Sequence, residues 1–259
     1  MSQVAAQAPE MLDVNVVLDA LMGRARAAMD AFADADQARI DEAVTALAWS
    51  IYKPENAERL AVLAVEDTGL GNVPDKIIKN TRKTFGALRD LMRVKTVGVI
   101  EEIPEKGLVK YAKPVGVVGA VTPSTNPAAT PVNKAMMAVK GGNAVIIAPS
   151  PSGWTTTNMT VELMRAELEK VGAPVDLVQV LPSPVTKELT GALMKAVDLV
   201  VVTGSQNNVR SAYSSGTPAI GVGAGNVPVI IDDSADLTDA AEKICASKIF
   251  DNATSCSSE

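Results

Sequence analysis

Val115-Gly116-Val117-Val118-Gly119-Ala120-Val121-Thr122-Pro123-Ser124-Thr125-Asn126-Pro127 is the stretch on which the fold turns. Seven small or branched apolar residues run without interruption and then meet a turn rich in Pro, Ser, Thr and Asn. A strand apolar along its whole length is covered on both faces, as in parallel sheets. Working outward, a helical stretch near Ala128–Lys140 leads to a second such strand, Ala144–Ala148. A longer helix, Thr155–Val171, follows. It carries Lys170 in its last turn and ends at Gly172-Ala173-Pro174. Strand Asp176–Leu181, helix Thr186–Ala196 and strand Leu199–Thr203 continue the alternation. The pattern predicts an α/β fold with a Rossmann-like, doubly wound parallel sheet. Ligands of such sheets lie beyond the carboxyl ends of the strands. Attention therefore falls on Thr122–Asn126, Pro149–Pro151, Pro182–Pro184 and Gly204–Asn208.

Upstream, residues 12–95 read as an N-terminal helical layer. Val14, Val17, Leu18, Leu21, Ala25 and Met29 repeat at helical spacing. Asp34 or Asp36 is placed to cap a second helix through Ala43, Leu47 and Ile51. Pro54 starts a third that stops near Gly69-Leu70-Gly71, and Val73–Arg93 reads as a fourth. No chemistry is legible in this layer. Thr96–Ile103 and Leu108–Ala112, joined by Pro104-Glu105-Lys106-Gly107, read as a two-stranded arm with a wet face marked by Glu101, Glu102 and Lys110. Such an arm is marginal alone and is expected to pack on another part of the molecule or on another subunit. Downstream, Ser214–Pro228 leads to a further strand, Val229–Ile231, and a helix, Leu237–Phe250.

Composition narrows the function classes. The 259 residues are 47% hydrophobic and 3% aromatic, so the core is aliphatic. The formal net charge is -6, and no Lys/Arg cluster is long enough to follow a phosphate backbone; nucleic acid is not an expected partner. No apolar run approaches the ~20 residues of a membrane span. Met1–Glu10 lacks a secretory pattern, and two cysteines make no disulfide framework, so a reducing, cytoplasmic setting is expected. There is no histidine, which excludes Cys-His and Ser-His pairs. A nucleophilic thiol here needs activation from a cofactor, a helix N-terminus or backbone amides. The cysteines have no CxxC spacing, and no metal site is expected. Cys245, inside a helical pattern, reads as a core residue. Cys256, in Phe250-Asp251-Asn252-Ala253-Thr254-Ser255-Cys256, is either a small buried residue or a nucleophile.

Five stretches then carry a resemblance when taken together. They are Thr122-Pro123-Ser124-Thr125-Asn126-Pro127, Lys140-Gly141-Gly142-Asn143-Ala144-Val145-Ile146, Thr203-Gly204-Ser205, Ser214–Pro228, and Asp251-Asn252 to Cys256-Ser257-Ser258-Glu259. In this order and spacing the chain resembles the aldehyde dehydrogenase superfamily, and within it the CoA-acylating branch acting on acetaldehyde, sulfoacetaldehyde or succinate semialdehyde. The resemblance runs from about residue 12 to the end. Chains of that family are far longer, so it covers the cofactor domain and the start of an α/β catalytic domain. Residues 1–221 are expected to form the helices, arm and nucleotide-binding domain, and 222–259 the beginning of the next.

The resemblance implies a role for each matching residue. Cys256 matches the nucleophile, and Asp251 and Glu259 would oppose its ionisation if close. Asn126 matches the donor that, with the backbone N–H of Cys256, holds an oxyanion; read alone, it is a loop-stabilising Asn before Pro127. Thr122, Pro123, Ser124 and Thr125, then Ala148, Pro149 and Ser150, then Thr203, Gly204 and Ser205, and lastly Gly221, Val222 and Gly223 match cofactor-binding segments. Thr203-Gly204-Ser205 ends a strand and opens a helix, a setting for a pyrophosphate, although an ordinary cap at Ser205 is an equal reading. Gly221-Val222-Gly223-Ala224-Gly225 is not a GxGxxG fingerprint, because it leads into another strand. Ala148-Pro149-Ser150-Pro151 lacks the lysine and acid of many hydrolytic relatives, which leaves NAD and NADP both open. Gly221 stands where those relatives carry a glutamate base. Its bareness implies a thioester that survives until CoA arrives. The expected activity is thus CoA-dependent oxidation of a small aldehyde by an enzyme that assembles as a homo-oligomer. The alternatives are a hydrolytic aldehyde dehydrogenase and an inactive nucleotide-binding module.

Overall fold

Val117–Val121 (β3) is buried at every residue, as is Ala144–Ala148 (β4), its parallel neighbour. A computed structural model of the chain describes residues 13–223, 225 and 227–256. Val178–Val180 (β5) flanks β4, Leu199–Thr203 (β6) flanks β3, and Ala219–Val222 (β7) closes the other edge. All five strands are parallel, in the order β5-β4-β3-β6-β7. The winding reverses at β3, so a crevice opens between the carboxyl ends of β3 and β6. The strand expected over Asp176–Leu181 is shorter, because Val175–Leu177 forms a tight helical turn before it.

Crossover helices Ala129–Lys140 (α6) and Trp154–Lys170 (α7) run between β3, β4 and β5, and Lys187–Ala196 (α8) runs back towards β6. Right-handed crossovers put α6 and α7 on one face of the sheet and α8 on the other. The first helix, Val14–Ala31 (α1), is capped by Asp13 and lays Leu18, Leu21, Ala25 and Ala28 against α8 and β4. Gln37–Tyr52 (α2) is capped by Asp36, not Asp34, and packs across α6 and α7. Pro54–Thr68 (α3) ends at Gly69, whose φ of 66° supplies the left-handed residue that stops it.

The expected fourth helix is not continuous. Val73–Ile78 (α4) passes through a π-helical turn, Lys79–Lys83, into Thr84–Leu91 (α5). Such a bulge inserts one residue per turn and swings the following side chains round the axis. The arm forms as expected: Gly98–Ile103 (β1) pairs antiparallel with Leu108–Ala112 (β2), with Glu101 and Lys110 in an ion pair at 2.5 Å. Ile100, Leu108, Val109 and Tyr111 on it are exposed.

Two expectations fail beyond β7. Val229–Ile231 has no regular structure and Ile230 is 93% exposed. A strand needs a ladder partner, and no described residue pairs with this one. Leu237–Ile249 (α10) is a helix, capped by Asp236, but buries none of its residues. Cys245 is accordingly exposed rather than in a core. Among the described residues no helix is long and apolar enough to cross a membrane.

Candidate active site

The loops after β3, β4 and β6 line one cavity of about 730 Å³. Thr122, Pro123, Ser124 and Thr125 come from the first loop, Ala148, Pro149 and Ser150 from the second, and Thr203, Gly204 and Ser205 from the third. Gly223, Gly225, Thr254 and Cys256 also line it, as do Thr186, Lys187, Thr190 and Met194 at and in α8. Segments some 25 to 130 residues apart in sequence thus meet because parallel strands deliver their carboxyl ends to one edge. Ser205 is the N-cap of Gln206–Tyr213 (α9), its Oγ accepting from the Asn208 N–H at 3.3 Å. The remaining first-turn N–H groups and the helix dipole suit a bound phosphate. The Thr122 hydroxyl is buried with no partner among the described residues, a polar atom left for a ligand in this wall. These features fit a nicotinamide dinucleotide.

The turn carrying Cys256 is held by charge. Asp251, Asn252 and Ala253 all have positive φ, at 53°, 52° and 60°. Asp and Asn tolerate that region, whereas Ala costs about 1–2 kcal/mol there. The compensation lies around Asp251, which is fully buried. Its carboxylate pairs with the ammonium groups of Lys79 and, at 3.2 Å, Lys76, and accepts from the Asn72 N–H at 2.9 Å and the Thr254 hydroxyl at 2.9 Å. Its own N–H donates to Asp75 at 2.7 Å. Burial pushes the Asp251 carboxyl up, but the hydrogen bonds from Lys79 and Asn72 and the Lys79 charge outweigh it, and the net shift is down. Lys76 moves down because its burial outweighs the attraction of Asp251, and neighbouring Lys79 adds to the fall. Gly71, with φ of 73°, is where Asp251 tucks in: a β-carbon there would overlap the carboxylate.

Asp251 therefore does not press an unbalanced negative charge on the thiol; it faces the helical layer. Glu259, the other expected opponent, lies outside the described residues, as do residues 1–12, Ala224, Asn226, Ser257 and Ser258. Lys83 sits 4.9 Å over the Phe250 ring. Its ammonium is pushed down by burial and then by Lys79, and pulled up by Asp251 and Cys256, so it lies within electrostatic reach of the thiol.

Three expected site residues are not among those lining the cavity. Asn126 is half-buried one residue beyond the lining segment Thr122–Thr125. Gly221 and Val222 belong to β7, and Gly221 donates its N–H to the Tyr213 hydroxyl at 3.1 Å. A β-carbon on Gly221 would meet Val209 at 2.8 Å and Tyr213 at 3.0 Å, so the position faces α9 and not the thiol. The glycine that abuts the cysteine is Gly225, where a β-carbon would lie 2.7 Å from Cys256 Sγ. What matters is that none of the described residues lining the cavity is an Asp or Glu.

Residues 3–259 match the aldehyde dehydrogenase family. The chain belongs to that family. The sulfoacetaldehyde dehydrogenase (acylating) of Cupriavidus necator is 59% identical over 240 residues, which are 93% of this chain and 49% of that protein. The crystal structure of an acetylating aldehyde dehydrogenase from Geobacillus thermoglucosidasius superposes with a TM-score of 0.89 at 40% identity, over 95% of this chain and 54% of that one. The propionaldehyde dehydrogenase of Rhodopseudomonas palustris, solved with bound CoA and an acylated cysteine, has a TM-score of 0.78 at 31% identity, over 91% of this chain and 53% of its own. The chain spans about half the length of these relatives.

Within this aldehyde dehydrogenase chain, sequence reading missed Lys76, Lys79, Lys83 and Gly225. The three lysines recur at spacings of three and four, a helical face that is basic where an amphipathic helix would be apolar. That signal was available. Their partner was not: Asp251 lies 175 residues from Lys76.

Proposed function

We propose that this chain is the cofactor-binding half, with the nucleophile, of a CoA-acylating aldehyde dehydrogenase that converts a small aldehyde, NAD or NADP and CoA reversibly into an acyl-CoA. The observation that carries this reading is Cys256 opening on a cavity at the β3/β6 crevice, with no carboxylate among the described lining residues. Residues 1–221 would form the nucleotide-binding domain with its helices and arm, and 222–259 the start of the catalytic domain. A cytoplasmic homo-oligomer, with the exposed apolar arm packed on a second subunit, fits the same picture.

The Cys256 thiolate attacks the aldehyde carbon, forming the C–S bond while the carbonyl electron pair moves to oxygen. The Asn126 amide and the Cys256 backbone N–H hold that oxyanion. When bound along Thr122–Thr125, Ala148–Ser150 and Thr203–Ser205, the nicotinamide cofactor supplies a hydride acceptor. Re-forming the carbonyl breaks the C–H bond, sends its hydrogen and electron pair off as hydride, and leaves an acyl group on Cys256 Sγ. With no carboxylate among the described lining residues to take a proton from water, the thioester waits for the CoA thiolate. That attack forms the new C–S bond and expels Cys256 as thiolate. Cys256, Asn126 and the three cofactor segments thus have separate tasks.

The test is reduced-nicotinamide formation by the full-length protein with sulfoacetaldehyde, acetaldehyde and succinate semialdehyde, each with and without CoA. Turnover that requires CoA is expected, with sulfoacetaldehyde the first candidate given the 59% identical relative. Steady turnover without CoA would establish the hydrolytic alternative.

A further inference from the structure

Only 3% of the Lys76 side chain is exposed. Its Nζ donates to two acceptors from different parts of the site, the Thr125 carbonyl at 3.2 Å and Asp251 Oδ2 at 3.2 Å. Thr125 immediately precedes Asn126, and Asp251 begins the turn that ends in Cys256. Asp251 does not need Lys76 for neutrality, since Lys79, the Asn72 N–H and the Thr254 hydroxyl already serve its oxygens. What Lys76 adds is the bond to the Thr125 carbonyl. A buried ammonium is costly to desolvate, and an apolar side chain of similar length would fill the same space. The charge therefore does something that packing does not. It joins the two loops whose separation decides whether an amide reaches the oxygen made by thiol addition.

We propose that Lys76 is a positioning residue: its ammonium is the strut that fixes the Thr125–Asn126 loop against the Asp251–Cys256 turn and so sets the reach of the Asn126 amide. The proposal rests on the thioester chemistry given above. Lys76 acts through Asn126 and touches no reacting atom. An oxyanion donor is worth about 10²–10³ in rate and a misplacement of about 1 Å can forfeit much of that.

The experiment uses the full-length protein. Lys76→Met should slow single-turnover reduced-nicotinamide formation by roughly 10- to 100-fold. The KM for the nicotinamide cofactor should stay within about twofold, as should Cys256 alkylation by iodoacetamide, followed by peptide mass mapping to separate Cys245. In an Asn126→Ala background the donor is already gone, so Lys76→Met should slow the reaction by no more than about twofold further. Lys76→Gln, which keeps a donor without the charge, should lose less than Lys76→Met and serves as the second variant if Met impairs folding. Losses from Lys76→Met and Asn126→Ala that multiply, or a Lys76→Met protein with unchanged hydride transfer, would overturn the strut. Absence of CoA-dependent turnover in the unmutated protein would strike the proposed reaction instead.

Discussion

The two sides of the cavity are built by different physics. On the cofactor side, the loops after β3, β4 and β6 are neutral, and parallel strand register puts them in place. On the thiol side, a left-handed turn is pinned by a carboxylate between two buried lysines. The first arrangement is a by-product of the fold and tolerates side-chain change. The second depends on particular charges and fails when the shared carboxylate is removed. The predictions below test that contrast in the full-length protein.

The largest effect is expected from Cys256→Ala. It removes the atom that forms the thioester, so hydride transfer should fall by roughly 10⁴-fold or more while cofactor binding survives. Rapid-mixing absorbance of reduced nicotinamide and a cofactor titration check the two halves of the statement. Retained dehydrogenase activity would remove Cys256 from the mechanism. Weakened cofactor binding would mean the two sides of the cavity are not independent.

Asp251→Ala comes next. It leaves Lys76 and Lys79 buried without their shared counter-charge, and breaking a buried pair this way costs about 3–5 kcal/mol. The denaturation midpoint should drop accordingly, and Cys256 alkylation should lose its single reactive population. The acid limb gives a second reading. The Asp251 carboxyl is held below its ordinary range in the folded state. Its contribution is complete above the unfolded carboxylate pKa and is lost as pH falls through the lower folded value. The unmutated protein should therefore lose more stability than Asp251→Asn as pH drops below about 4. Parallel pH curves for the two proteins would show that Asp251 is not the group that holds the turn.

The contrast also explains what was legible in the sequence. Val115–Val121 and Ala144–Ala148 announce themselves because a strand covered on both faces must be apolar at every position. Once these are strands, the edge where Thr122, Ala148 and Thr203 meet follows from topology. The helical layer hides its role because its ion pairs join residues 172 and 175 positions apart, and no period in a sequence reports a contact of that kind. Lys76 and Lys79 are turned inward where α4 passes into a π-helical turn, while Lys83 at the end of that turn stays exposed. Val229–Ile231 has the composition of a strand and none of its structure, since composition cannot supply a partner. Gly221 reads as an absent base because a sequence carries a residue type and not the direction of its Cα–Cβ bond, which here faces α9.

Gly225→Ala addresses that direction. The change adds a methyl that would stand 2.6 Å from Cys256 Cβ. The thiol must move by some tenths of an ångström. A loss of about 10-fold in alkylation and hydride transfer is expected, with cofactor affinity unchanged. Gly221→Ala, crowding Val209 and Tyr213 instead, should lower stability and leave the thiol's alkylation rate alone. Reversed outcomes would exchange the two glycines' places in the site.

The smallest effect belongs to Ser205→Ala, and it probes the neutral side. The Ser205 hydroxyl caps α9 through the Asn208 N–H, and removing such a cap costs about 1 kcal/mol. If a cofactor phosphate is held by the backbone N–H groups and dipole of this helix, the hydroxyl contributes only by keeping the first turn formed. Affinity for the nicotinamide cofactor, read by fluorescence titration, should then weaken by no more than about fivefold. A hundredfold loss would mean that a side chain, and not the strand-to-helix turn, makes the decisive contact. The cofactor side would then depend on particular groups as strictly as the thiol side depends on Asp251.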